Sequence, residues 1–209
     1  MGGMANKYCD LINDNFGGVY YPTWLPSVNM LLGDYGILDD DVFTKQGNIR
    51  DFGIKFKAEL GSKFPDFEYK SQGVSSMDVG AGVGGFVNVG LQFKFARKFD
   101  TFFIAAGCQQ SLMLGQPVVM NKARAAFKEN GMSNYFIVVE LMKADATTIL
   151  IASDKNAEFA VEAKSEVVPM IDLKNPSLAL SQKKATNMGF KMAAAPGLTP
   201  LIALSAKVV

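Results

Sequence analysis

Histidine is absent from this 209-residue chain, which removes the commonest general base, the usual metal ligand and every nucleophile triad built on imidazole. Three other groups could carry chemistry. Gly80-Ala81-Gly82-Val83-Gly84-Gly85 satisfies the G-x-G-x-x-G spacing that cradles a pyrophosphate. That fingerprint needs a helix immediately after the glycines, so that its N-terminus faces the phosphates. Here the next residues alternate with period two, so Gly80, Gly82, Gly84 and Gly85 read instead as a hinge or bulge at a strand edge. Asp39-Asp40-Asp41 offers three carboxylates, but consecutive acids point in different directions and the EF-hand spacing with its distal Glu is missing, which suits a solvated turn. Two cysteines, Cys9 and Cys108, are too few for a disulfide framework and imply a reducing setting. No local context singles out the paired carboxylates of a glycosidase. The expectation is therefore a protein that is not an enzyme, with no catalytic residue, metal ligand or cofactor assigned.

The pattern that stands out is physical rather than catalytic. Val87, Val89, Leu91, Phe93 and Phe95 alternate with Asn88, Gly90, Gln92 and Lys94. A strand sends successive side chains to opposite faces, so this one has an oily face and a wet face. Such a strand belongs equally to a half-buried soluble antiparallel sheet and, at nine residues, to a tilted strand crossing a bilayer, which takes about 9–11. A second segment of this kind places Ile54, Phe56, Ala58 and Leu60 between Lys55, Lys57 and Glu59. Lys94, Arg97 and Lys98 flank the first strand. They form either an ordinary solvated face or a set of contacts to anionic headgroups.

Around these segments the pattern predicts a short helix over 4–15 stopped by Gly17-Gly18, and a first strand at 19–21. Residues 63–70 are expected to return as partner to 54–60, and the Gly- and Ser-rich run 71–85 to be the flexible stretch. A strand at 101–106 ends at Gly107. A helix starts with Pro117, carries Val119, Ala123, Ala126 and Phe127 at helical spacing, and stops at Asn130-Gly131. Strands follow at 135–141, 147–152 and 159–163, then at 187–192, with a Pro196-Gly197 turn into a last strand over 198–209. Hairpin-length connections and the absence of βαβ crossovers predict an α+β fold: a twisted, mostly antiparallel sheet with a few short helices, in a single domain over 1–209. Basic and acidic side chains number 21 and 20, so nothing suggests nucleic acid as a partner. No run of apolar residues is long enough for a transmembrane helix and the first ten residues lack the apolar core of a signal peptide, which predicts a cytoplasmic protein.

The order of features resembles the bacterial gasdermins. The likeness rests on the short N-terminal helix bearing Cys9, the Pro-containing Tyr21–Leu32 region leading into Gly33-Asp34-Tyr35-Gly36, and the amphipathic segments at 54–60 and 87–95. It continues through the Ala-rich helix at 118–130, Tyr135-Phe136-Ile137-Val138-Val139-Glu140 and the closing Leu198–Ile202 strand. The resemblance implies a gasdermin-like pore-forming domain that is cytoplasmic while inactive. A neighbouring protease would cut it, after which a large homo-oligomer would open a pore in the inner membrane and kill the cell in antiphage defence. It implies membrane lipid as a partner and palmitoylation of Cys9, although family examples carry that cysteine closer to the N-terminus. The strands at 54–60 and 87–95 would insert, with a lumen lined by their polar residues. Family examples also end in a short inhibitory segment beyond the last strand, where 198–209 reads as the strand itself. The competing expectation is a soluble β-rich interaction or assembly subunit with no membrane activity.

Overall fold

Alternating and β-branched segments dominate this chain, and in the computed structural model they fold as a mostly antiparallel α+β protein. The structure describes residues 2–25, 28–83, 86–163, 171–175, 177 and 180–208, and of residues 2, 79–83 and 86–89 the main chain alone. The elements run α1 (Gly2–Asn15), β1 (Tyr21–Pro22), β2 (Asp34–Asp39), β3 (Val42–Asn48), a 3₁₀ turn (Ile49–Phe52), β4 (Ala58–Lys63), β5 (Phe67–Lys70), β6 (Val74–Val83) and β7 (Phe86–Phe95). They continue with β8 (Thr101–Ala106), β9 (Gln109–Met113), α2 (Gln116–Glu129), β10 (Phe136–Ala152), β11 (Ala157–Ala163), β12 (Leu180–Thr186) and β13 (Met188–Leu204). The chain forms two compact units. One comprises residues 1–64, 108–143 and 198–209, the other residues 65–107 and 144–197.

In the first unit, the helical stripe Val119, Ala123 and Phe127 of α2 is buried together with Met30, Phe43, Ile49, Ile137 and Ile202. Pro117 sits in the first turn of α2, where its missing N–H costs nothing. Phe127 stands at the centre of an aromatic group, with ring centroids 5.1 Å from Tyr35 and 5.6 Å from both Phe52 and Tyr135. The β2–β3 hairpin needs a glycine at 36, because a Cβ there would lie 2.1 Å from the Thr44 carbonyl oxygen. Asp34, fully buried, accepts from the Leu31 amide at 2.7 Å and the Asn48 side-chain amide at 2.8 Å, and pairs with the Lys45 ammonium at 2.8 Å. A buried carboxylate is tolerated only when its lone pairs are filled in this way. This one ties the entry of β2 to the end of β3.

In the second unit, a four-stranded antiparallel sheet in the order β12-β11-β7-β6 packs its apolar face on β8 and the second half of β10. Phe93 and Phe95 of β7 and Phe159 and Val161 of β11 are buried with Phe102, Ile104 and Leu150, and the Phe93 and Phe102 rings lie 4.7 Å apart. Glu158 and Glu162 alternate with those buried residues along β11 and pair with Lys184 and Lys183 of β12.

Several expectations from the sequence need correcting. Residues 54–57 form no strand: Ile54 is drawn into the core of the first unit and Phe56 packs against it, so pairing begins only at Ala58. Residues 63–70 do not return on 54–60; β4 pairs with β9, and β5 pairs with β8. The run 71–85, read as flexible, is mostly β6, since ladder hydrogen bonds come from the backbone and need no side chain. The strands read at 135–141 and 147–152 are one strand, β10. Those at 187–192 and 198–209 likewise merge into β13 across Pro196-Gly197, where Ala194 (φ +47°) and Gly197 (φ +67°) absorb the irregularity. The first strand is shorter and later than expected, at Tyr21–Pro22.

Truncating Phe127 to Ala would leave a cavity amid three rings and is expected to cost about 3–5 kcal/mol in urea unfolding. Val118→Ala, on the exposed side of the first turn of α2, should stay within about 0.5 kcal/mol of the parent.

Candidate functional site

The β6–β7 hairpin is a long two-stranded ladder in the second unit. Ten pairs run without a break from Val74↔Phe95 to Val83↔Phe86. No charged residue occurs between Asp78 and Lys94, which leaves fifteen consecutive uncharged positions around the hairpin end. At about 3.3 Å per residue each ten-residue arm reaches some 33 Å, enough at a 45° tilt to match the ~25 Å apolar band of a membrane barrel. β7 is paired on both sides, by β6 and by β11, through six further pairs from Ala157↔Phe95 to Glu162↔Gly90. Among the described residues β6 pairs only with β7, so its outer edge is open. Ser75, Ser76, Met77 and Asp78 along that strand are exposed.

The residues expected to insert into a membrane do not share one environment. Phe93 and Phe95 are each only 1% exposed, in the core of the second unit, and Leu91 packs partly against it. Val87 and Val89 belong to the backbone of β7, and their side chains lie outside the described residues. Ile54 is buried in the other unit, Phe56 is half-buried beneath the Arg50 guanidinium at 4.6 Å, and Leu60 is 70% exposed on β4. The headgroup candidates Lys94, Arg97 and Lys98 are all exposed near the Phe95 end of the ladder, and the Lys98 ammonium rests 4.9 Å from the Phe99 ring. Of the hinge glycines, Gly80 and Gly82 are strand residues opposite Val89 and Val87, while Gly84 and Gly85 lie outside the described residues.

Sequence reasoning missed β6 as the partner of β7. A signal for it exists: Met77, Val79, Ala81 and Val83 alternate with Asp78, Gly80 and Gly82, a period-two pattern that the abundance of glycine masks. It also missed the pairing of β7 with β11, which no local feature of either strand announces.

Cys9 is fully buried on α1, where its thiol donates to the Pro22 carbonyl oxygen at 3.8 Å. Burial, helped by the nearby Asp41 carboxylate, pushes its pKa up to about 12. As the structure stands the thiol is neither nucleophilic nor accessible, so acylation would require α1 to leave its seat. Asp40 and Asp41, the end of the acidic run, line an open hollow with Gly3, Asn6, Lys7 and Asp10. Among the described residues no three His, Cys, Asp or Glu side chains group as metal ligands. A partly buried Glu140 accepts from Tyr20 and from the Gln110 side-chain amide, and burial together with that carboxylate drives the Tyr20 phenol well above its ordinary pKa. This cluster fastens the chain after α1 to β9 and β10.

At pH 8 a thiol with a pKa near 12 is ionised in only about one molecule in ten thousand. A colorimetric thiol reagent should therefore leave Cys9 unmodified in the native protein for hours, and label it within minutes in 6 M guanidinium. Rapid native labelling of Cys9 would mean that α1 opens freely. No family model matches the chain, and a search of curated proteins finds no match.

Proposed function

We propose that this protein assembles into a membrane pore, with β6 and β7 of each copy supplying one hairpin to a closed barrel. The observation that carries the reading is the ten-pair ladder whose end holds fifteen consecutive uncharged residues. Burial in the protein accounts for the lack of charge at Phe93, whereas in a barrel a charge at the bilayer midplane costs about 2–4 kcal/mol for Lys or Arg on the lipid face anywhere along the hairpin's span. Unpaired strand edges are prohibitive in lipid, so the open edge of β6 must find another strand and a ring of copies is required. The basic trio Lys94, Arg97 and Lys98 sits at the base of the ladder, where anionic headgroups would be met. The wider role suggested by the bacterial gasdermin likeness, proteolytic activation and cell death in antiphage defence, belongs to the same reading.

A second reading has one observation in its favour. Phe93 and Phe95 are already buried within the protein, so the apolar face of β7 is satisfied without a membrane. On that reading the open edge of β6 serves a soluble assembly.

Dye release from vesicles containing about 30% anionic lipid separates the two. The pore reading expects release by the parent protein once it is clipped by limited proteolysis, loss of at least tenfold in rate for Val89→Asp treated alike, and little change for Asn88→Asp, the next residue on the opposite alternation. Equal rates for both variants, or a discrete oligomer in sedimentation without lipid and intact vesicles, would replace it with the soluble assembly.

A further inference from the structure

The connection between β11 and β12 is far longer than its task demands. These strands are antiparallel neighbours, which a two-residue turn can join, yet residues 164–179 intervene, sixteen in all. Connections beyond about 12–15 residues are uncommon and usually functional. Of this connection the structure describes residues 171–175 and 177. Ile171 and Leu173, each 5% exposed, belong to the core of the second unit. Together with Lys174 they line a groove of about 200 Å³ with Glu68 of β5, Ser76 of β6 and Phe93 of β7. β6 is at the opposite edge of the four-stranded sheet from β12, three strand spacings away or about 14 Å. Residues 171–174 therefore lie against β5 and β6, each of which is an edge strand among the described residues.

Its end is pinned there by charge. The Lys174 ammonium lies 3.0 Å from the Asp66 carboxylate, which also accepts the Gly107 amide at 3.0 Å, and Asp172 Oδ1 accepts the Lys174 amide at 2.9 Å to shape the turn. Lys174 holds Asp66 below the ordinary carboxylate range, with the Gly107 amide adding to the effect. Asp66, Glu68 and Asp172 together raise Lys174.

We infer that residues 171–174 are a strap: Ile171 and Leu173 close the side of the sandwich beside β6 and β7, the Asp66–Lys174 pair latches it, and lifting it frees the hairpin. The inference rests on the proposed role of that hairpin and names what holds it in place. Two aliphatic anchors and one largely exposed ion pair are a modest restraint, because exposed pairs contribute little and each anchor contributes through about one side chain's burial. Such a closure suits something that has to open.

The test has two independent readouts, on the full chain. Lys174→Glu places a second carboxylate against Asp66 at an exposed position and should leave the fold intact; Lys174→Arg keeps the pair. Hydrogen exchange of the amides in 74–78 and 91–95 is expected to rise at least tenfold in Lys174→Glu and to stay at the parental rate in Lys174→Arg. Conversely, carbodiimide joins carboxylates to amines already in contact. An Asp66–Lys174 amide, verified by peptide mass spectrometry, should cut vesicle dye release at least tenfold. Unchanged exchange in Lys174→Glu, or release that the parent protein shows and the cross-link does not slow, would overturn the strap. Raised exchange in Lys174→Glu with vesicles that stay sealed for every form would uphold the strap and overturn the pore.

Discussion

The packing of one face of β7 against β8 is the contact on which the second unit depends. Phe93 sits between its neighbour Phe95 on the same face and Phe102 across the layer, with centroids 6.4 and 4.7 Å away. Because side chains alternate strictly along a strand, burying Phe93 and Phe95 fixes which residues of β7 face away, and pairing fixes the same for β6 and β11. Glu158 and Glu162 are thereby directed toward Lys184 and Lys183 rather than into the core. A slip of one residue would bury those carboxylates and expose the phenylalanines, so the register is specified by the cost of the alternative.

That constraint explains what could be read from the sequence and what could not. Strong periodicity was legible: Val119, Ala123 and Phe127 announce α2, and the alternation at 87–95 announces β7 almost to the residue. Residues 54–60 carry an alternation nearly as clear and yet were misread. Ile54 gains more by entering the core of the first unit than it would in a strand, and a period-two pattern cannot say which apolar surface will receive a side chain. Partnership was the least legible property. That β4 pairs with β9 and β5 with β8 depends on contacts between residues 46–55 and 32–38 apart in the chain, which local composition does not encode.

Glycine misled in the opposite direction. The run at 80–85 imitates a phosphate loop and, by composition, a flexible linker, but Gly80 and Gly82 lie in a regular ladder. Glycine weakens a strand because it adds backbone entropy and removes packing. Here the loss is confined to the half of the hairpin beyond Asp78, while the half nearer Phe95 is anchored by aromatic side chains. The candidate site was thus visible as a strand and invisible as a hairpin, because its second arm carries the residues least able to announce a strand.

The same division bears on what it would take for the hairpin to change environment. Removing Phe93 and Phe95 from the core forfeits about 1.5–3 kcal/mol for each side chain, but a lipid interior returns most of that, since hydrocarbon is as apolar as a protein core. The backbone has no such compensation from lipid. Six pairs with β11 and the whole open edge of β6 would be stranded at several kcal/mol for each unsatisfied group unless another strand takes them up. The apolar side chains therefore permit the transfer without driving it. On the proposed reading the decisive quantity would be how many neighbouring hairpins are present to complete the ladder, so such a transition would be a property of a ring of copies and not of the single chain.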